Sequence, residues 1–230
     1  MASWAIYRLC PWIQPVTAFV AALPPQARVL DLGSSVGARV KRILEVRPDL
    51  QITAGDLEDF SALYPPVVKF RQFDATKRFP FADAEFDAVI STHLFEHLPP
   101  STIAGVANEI ERIVKPGGRV YIESPGVRSL FYPSIRIGQS SAGMSAGPSN
   151  FYDDITHIQP FTLQRLYKLF AGRKFCQVQT GIHRNKLFLA ASPVLLLVGL
   201  LLRRRIMIVT ALYHIGGWAV YVTATRRNPA

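Results

Sequence analysis

The chain is poor in cysteine, has no acidic residue near one end, and lacks glycine where a dinucleotide-binding loop would need it. Two cysteines occur in 230 residues, Cys10 and Cys176. They stand too far apart to read as a disulfide framework, which fits a reducing compartment. A secretory leader would begin with a basic stretch ahead of an apolar run. Here Arg8 sits inside the first apolar run, and Pro11 and Pro15 interrupt it, so no cleaved signal peptide is expected. Residues 181–230 carry seven Lys or Arg and no Asp or Glu, so +7 of the net charge of +10 lies there and +3 in the first 180 residues. That charge does not sit in a polar stripe interleaved with aromatics, so no nucleic-acid partner is expected. A segment both basic and apolar points instead to a membrane surface. The expected location is cytoplasmic, peripheral or monotopic on the cytosolic face of a membrane.

What is present is an alternation of strand and helix. With 49% apolar residues the chain has enough to build a real core. Residues 28–32, 51–55, 67–73, 86–92 and 119–123 read as strands, and 36–46 and 101–114 as helices. In the second helix Ile103, Val106, Ile110 and Ile113 fall at helical spacing. It is expected to end in a turn at Lys115-Pro116-Gly117-Gly118. Residues 124–150 are rich in Gly, Ser and Pro and read as a long surface loop. A helix over 161–170, a strand over 175–180 and a last strand over 218–225 follow. Strands joined by helices of this length imply an α/β fold with a doubly wound, mostly parallel seven-stranded sheet. The expected division is an N-terminal helical segment (1–27), the core (28–186), an apolar hairpin (187–217), and a last strand with a basic tail (218–230).

In open α/β sheets ligands sit beyond the carboxyl ends of the strands. Each such position here carries suitable chemistry. Asp31-Leu32-Gly33-Ser34-Ser35-Val36-Gly37 follows the first strand, and its glycines let backbone approach a ligand closely. Asp56 follows the second, where a carboxylate can accept from vicinal ribose hydroxyls. Asp74 and Ala75 follow the third, and Thr92 and His93 the fourth. The set from Val29-Leu-Asp-Leu-Gly33 through Asp56, Phe73-Asp74-Ala75, Phe86-Asp-Ala-Val-Ile90 and Leu94-Phe-Glu-His-Leu98 to Val114-Lys-Pro-Gly-Gly118 resembles the class I, Rossmann-like, S-adenosylmethionine-dependent methyltransferases. The resemblance spans about residues 28–123. It implies a transferase that binds S-adenosyl-L-methionine, with Asp31, Gly33, Ser34 and Gly37 around the methionine part. It further implies Asp56 on the ribose, Leu57 on the adenine, Asp74 and Ala75 at the adenine edge, and Thr92 and His93 bordering the cofactor. Ser35 departs from the family's frequent glycine and calls for an uncommon φ. That departure keeps open an alternative, a non-catalytic cofactor-binding scaffold at the membrane.

A dinucleotide site is the nearest rival, but its Gly-x-Gly-x-x-Gly positions would be Gly33, Ser35 and Ala38. His93-x-x-Glu96-His97 matches an inverted zinc-protease pattern. That pattern needs a helix, whereas this one leaves a strand and runs into Pro99-Pro100, so no metal is expected. For acceptor chemistry His157 is the candidate base or substrate-facing group, the alternative being a loop anchor. Tyr132, Phe151 and Tyr152 are candidates to line the acceptor pocket. His183 and His214 carry no chemical signal. The apolar stretch 187–202 is shorter than the roughly 20 residues of a span and contains Pro193. It is expected to form a hairpin at the membrane interface, with Arg203–Arg205 at the headgroups. The expected acceptor is a small or lipid-linked molecule (a glycan, lipid headgroup or quinone precursor), methylated on oxygen, and a homodimer remains open.

Overall fold

A computed structural model describes residues 5–134 and 150–229. Seven strands form one sheet: β1 (Arg28–Leu32), β2 (Gln51–Asp56), β3 (Lys69–Gln72), β4 (Phe86–Thr92), β5 (Val114–Pro125), β6 (Phe175–Ile182) and β7 (Ala219–Arg226), in the spatial order β3-β2-β1-β4-β5-β7-β6. β1 to β5 pair in parallel, while β7 runs antiparallel to both β5 and β6. The central strands are buried on both faces, so β1 and β4 carry apolar residues at consecutive positions, Val29-Leu30 and Ala88-Val89-Ile90. Their bounds are those expected from the sequence.

Helices α1 (Ala5–Leu9), α2 (Pro15–Ala21) and α3 (Ala38–Val46) accompany one face of the sheet, and α4 (Ile103–Ile113) and α5 (Leu163–Phe170) the other. The core is accordingly two clusters. Val29, Ile52, Ile90 and Tyr121 meet Val40 and Ile43 on one side. Leu30, Val89 and Ile122 meet Val106, Ile110 and Leu166 on the other. Successive residues along each strand thus feed opposite layers.

Three expectations need adjusting. The Lys115–Gly118 turn belongs to β5, because Val114 already pairs with Phe86 before a register shift brings Arg119 opposite Ala88. α3 starts at Ala38 rather than residue 36, because Gly37 caps it with φ +74. β3 is shorter than expected, at an edge where most side chains are exposed. In the expected long loop, residues 127–131 form a 3₁₀ turn, and the Gly- and Ser-rich stretch 135–149 lies outside the described residues.

Between β6 and β7 the apolar stretch folds as a hairpin of α6 (Lys186–Leu201) and α7 (Arg205–Gly216). Asn185 caps α6, its Oδ1 accepting from the amides of Leu187 (3.0 Å) and Phe188 (3.2 Å). The same side chain donates to Tyr7 Oη at 2.7 Å, tying the N-terminal segment to the hairpin. The helices approach closely at Gly199, where a Cβ would stand 2.9 Å from Ile208 Cγ1. No described helix is long and apolar enough to cross a membrane.

Ile110 is fully buried between α4 and the sheet. Ile110→Ala should lower unfolding free energy by about 2–5 kcal/mol, readable as a lower urea midpoint at unchanged slope.

Candidate active site

The strand order reverses direction about β1 and β4, and the crevice lies at their carboxyl ends. The loop leaving β1 is drawn over the sheet by amides of Gly33 and Ser34, which donate to the Gly55 carbonyl at 2.8 and 3.1 Å. Gly33 has φ +75, and a Cβ there would meet Leu94 Cβ at 2.9 Å. Ser35 takes the uncommon φ foreseen for it, +48. Two bonds hold it: its amide donates to Asp56 Oδ2 at 2.7 Å, and Tyr64 Oη donates to its carbonyl at 2.8 Å.

The crevice opens into a cavity of about 740 Å³ whose wall includes Asp31, Gly33, Ser34, Thr92, His93 and His157. Six of the expected site residues thus share one space. Gly37, Asp56, Leu57, Asp74 and Ala75 do not line it; they stand at the neighbouring carboxyl ends of β2 and β3 and at the start of α3. Asp56 spends one bond per oxygen on backbone amides, Ser35 and Glu58, which leaves acceptor capacity on each. Leu57 is largely exposed. Asp74 turns its Oδ1 back onto the Thr76 amide (2.8 Å) and hydroxyl (2.7 Å), and those bonds lower its pKa.

The residues fit a cationic, hydroxyl-bearing cofactor. Asp31 Oδ2 and Ser34 Oγ are buried with no hydrogen-bond partner among the described residues. Burial pushes the Asp31 carboxyl up to about 6, opposed by Arg39. An ammonium and a hydroxyl donor would satisfy both atoms.

On the acceptor side, the sequence missed a buried polar network. Glu123, at the end of β5, accepts from His183 Nδ1 at 2.6 Å and Tyr121 Oη at 2.5 Å. Gln14 Nε2 stands 3.3 Å from the other ring nitrogen of His183. His183, expected to carry no signal, is therefore a structural partner of the site. Burial would raise the Glu123 carboxyl, but the charge and hydrogen bond of His183 prevail and hold it well below the usual range. His93 lies between Glu123 Oε1 (3.6 Å) and Glu96 Oε1 (3.2 Å). Burial opposes its charged form, yet Glu96 and Glu123 hold its pKa above the ordinary value. Glu96, fully buried, also accepts from Ser124 Oγ at 2.7 Å.

His157 is anchored through Nδ1, which donates to the Phe151 carbonyl at 2.7 Å. The ring thus ties down its loop and stands at the cavity wall. Tyr132, Phe151 and Tyr152 do not line the cavity. Tyr132 Oη donates to the Leu212 carbonyl, Phe151 is buried beneath His157, and Tyr152 is exposed. The hairpin supplies that wall instead, with Phe188, Ile206, Val209 and Tyr213. His214 also faces the cavity, with Nδ1 accepting from the Asn185 amide.

Residues 30–122 match the family described as methyltransferase domain. A human tRNA N(3)-cytidine methyltransferase is 26% identical over 173 residues, 69% of this chain and 44% of that protein. The sterol 24-C-methyltransferase of Gibberella zeae is 31% identical over 106 residues, 42% of this chain and 27% of that protein. The chain thus spans less than half the length of these relatives. Among solved structures, a SAM-dependent methyltransferase from Archaeoglobus fulgidus superposes with a TM-score of 0.64 at 18% identity, covering 97% of this chain and 95% of that one. Phosphoethanolamine N-methyltransferase 2 of Haemonchus contortus, in complex with S-adenosyl-L-methionine, gives 0.63 at 15% identity, covering 96% and 52%.

Glu123→Ala removes an acceptor shared by Tyr121 and His183. It should cost about 3–5 kcal/mol of stability, measured by urea unfolding at pH 7. Because the folded carboxyl is held below its ordinary 4.5, its contribution is present above that pH and is lost as the pH falls. The difference between wild type and variant should narrow accordingly at acid pH.

Proposed function

We propose that this chain, whose residues 30–122 match a methyltransferase domain, is an S-adenosylmethionine-dependent enzyme that methylates a hydroxyl of a small or lipid-linked acceptor. A glycan, a lipid headgroup or a quinone precursor fits that description. The cofactor, when bound, supplies an electrophilic sulfonium methyl. Asp31 and Ser34 then pair with its amino acid part, Asp56 accepts from the ribose, and Gly33 leaves room for it. Leu57 would pack on the adenine, Asp74 and Ala75 would face its edge, and Thr92 and His93 would border the cofactor.

The observation that carries this reading is the cavity, which joins the unpaired Asp31 and Ser34 to the Nε2 lone pair of His157. Catalysis is then largely alignment of the acceptor oxygen with the methyl group. His157 Nε2 takes the hydroxyl proton as the oxygen–methyl bond forms and the carbon–sulfur bond breaks. The hairpin wall favours an acceptor with an apolar part beside its hydroxyl. Its outer surface is also apolar: Leu197, Leu200, Leu201 and Leu202 are exposed next to Arg203–Arg205. On an anionic interface these arginines would contribute about 1 kcal/mol each. Relatives act on tRNA cytidine and on a sterol, so likeness does not choose the acceptor, and the cavity chemistry is what supports the choice.

Asp31 gives a pH signature. A bound ammonium favours the ionised carboxylate, so affinity should rise with pH through about 6 and level above it. At pH 5 binding of S-adenosylhomocysteine should be about tenfold weaker than at the plateau. Calorimetric titration from pH 5 to 8 reads this, and Asp31→Asn should flatten the profile. A flat wild-type profile would remove Asp31 from the cofactor site.

The acceptor class is tested with methyl-tritiated cofactor and membrane or soluble extracts. Label should enter the organic phase and be lost in Asp56→Ala, whose cofactor binding should weaken by about 1.5–3 kcal/mol. Label confined to the aqueous phase refutes a lipid-linked acceptor, and label in neither phase favours the scaffold alternative.

A further inference from the structure

Glu96, His97 and His157 come from two separated segments, yet one donor atom of each lies within 4.8 Å of the others. Hydrogen bonds fix the tautomers of both histidines. His157 Nδ1 faces the Phe151 carbonyl, which can only accept, so this nitrogen carries the proton. His97 Nδ1 faces the Thr156 hydroxyl at 2.8 Å and the Thr156 carbonyl at 3.3 Å. The Thr156 hydroxyl proton is already given to Asp154 Oδ1 at 2.6 Å. Its oxygen therefore accepts, and His97 Nδ1 carries a proton too. Each ring keeps its lone pair on Nε2, with the opposite nitrogen bonded to an oxygen, the arrangement by which outer groups orient metal-bound imidazoles. Glu96 is held in place by Ser124 and His93. Asp154 Oδ2 stands 3.7 Å from His157 Nε2 and adds a second anionic group.

We infer that Glu96, His97 and His157 hold a divalent cation on the cavity wall, and that the acceptor's oxygen is its further ligand. This rests on the methyl-transfer reading and changes how His157 serves it, as a ligand rather than a base. Two imidazoles and one carboxylate with open positions suit a cation of the Mn²⁺ to Zn²⁺ range, whereas Mg²⁺ and Ca²⁺ prefer oxygen. Bonds of about 2.0–2.2 Å place donors about 3–3.5 Å apart, so the side chains close by roughly 1 Å on binding. A coordinated hydroxyl loses its proton near neutral pH, and Asp154 is the adjacent carboxylate to receive it. The acceptor class narrows to molecules whose hydroxyl can reach a cation, with a neighbouring oxygen as a second ligand where present.

The sequence pattern His93-x-x-Glu96-His97, from which no metal was expected, holds two of the three ligands. Residues 95–97 form a 3₁₀ turn rather than an α-helix, and His93 turns instead to Glu96 and Glu123. The third ligand comes from 60 positions beyond His97.

The test uses full-length protein without a histidine tag, stripped with chelator. Mn²⁺ binding is followed by electron paramagnetic resonance and calorimetry, and S-adenosylhomocysteine affinity is measured in parallel. One Mn²⁺ per chain is expected, at least tenfold weaker in Glu96→Gln and in His97→Gln, and unchanged in Glu45→Gln, an exposed carboxylate of α3. Because His157 also anchors Phe151, the His97 variant carries the test if His157→Gln fails to fold. Substoichiometric Mn²⁺, or binding indifferent to both Glu96→Gln and His97→Gln, overturns the cation site while S-adenosylhomocysteine binding stays intact. Loss of S-adenosylhomocysteine binding in the wild type would instead overturn the methyl-transfer reading beneath it.

Discussion

The buried carboxylate of Glu123 links β5 to the segments that follow β4 and β6. It lies two residues before the end of β5, the strand between the parallel half of the sheet and antiparallel β7. Its oxygens meet Tyr121 on the same strand, His183 just past β6, and His93 just past β4. A charge taken out of water needs such company, since unpaired it would cost several kcal/mol. The consequence is geometric. The turn that borders the cofactor crevice and the segment that launches the apolar hairpin are tied to one group. Gln14 extends the tie to the N-terminal helices through His183.

The hairpin follows from that tie. With its base fixed by His183 and by Asn185, which bonds Tyr7 and caps α6, the two helices lean over the carboxyl ends of the strands. Their inner side supplies the cavity's apolar wall, while polar groups come from the loops after β1 and β4 and from the Asp154–His157 turn. One space therefore has a charged floor and an apolar roof. An acceptor satisfying both would be amphipathic, and burying its apolar part would help to exclude water from the reacting end.

What the sequence made legible follows what periodicity can carry. β1 and β4 were readable to their ends, because a parallel strand buried on both faces carries apolar residues at consecutive positions. The start of β5 was not, because Lys115-Pro116-Gly117-Gly118 looks like a turn, and the pairing of Val114 with Phe86 is a matter of register rather than composition. β3, at the edge, carries too few buried residues to mark its bounds. Within the site, the β1 loop and the ends of β2 to β4 were legible because topology puts ligand chemistry there. The Glu123–His183 pair was hidden by a separation of 60 positions; its trace was an acidic residue directly after the apolar run Val120 to Ile122. His157 stood out by its flanking sequence, but its nearness to His97 arises only when the Asp154 turn folds onto the turn after β4.

The basic segment can now be weighed residue by residue. Arg226 donates to the carbonyls of Arg112 (3.4 Å) and Val114, and Arg227 to that of Phe175 at 3.0 Å. Arg184 donates to the Ile215 carbonyl at 3.1 Å, and Lys186 lies 5.2 Å from the Trp12 ring centre. These four are occupied with closing strand and helix ends and do not form a track for a phosphate backbone. The remaining three, Arg203 to Arg205, are gathered where α6 passes to α7, beside the exposed leucines of α6. Nucleic-acid binding needs cations spread along a path at phosphate spacing, whereas an anionic interface needs only a local cluster next to apolar side chains. On that ground the arrangement of these cations favours the proposed headgroup contact over a nucleic-acid track, even though the chain's similar relatives include enzymes of tRNA.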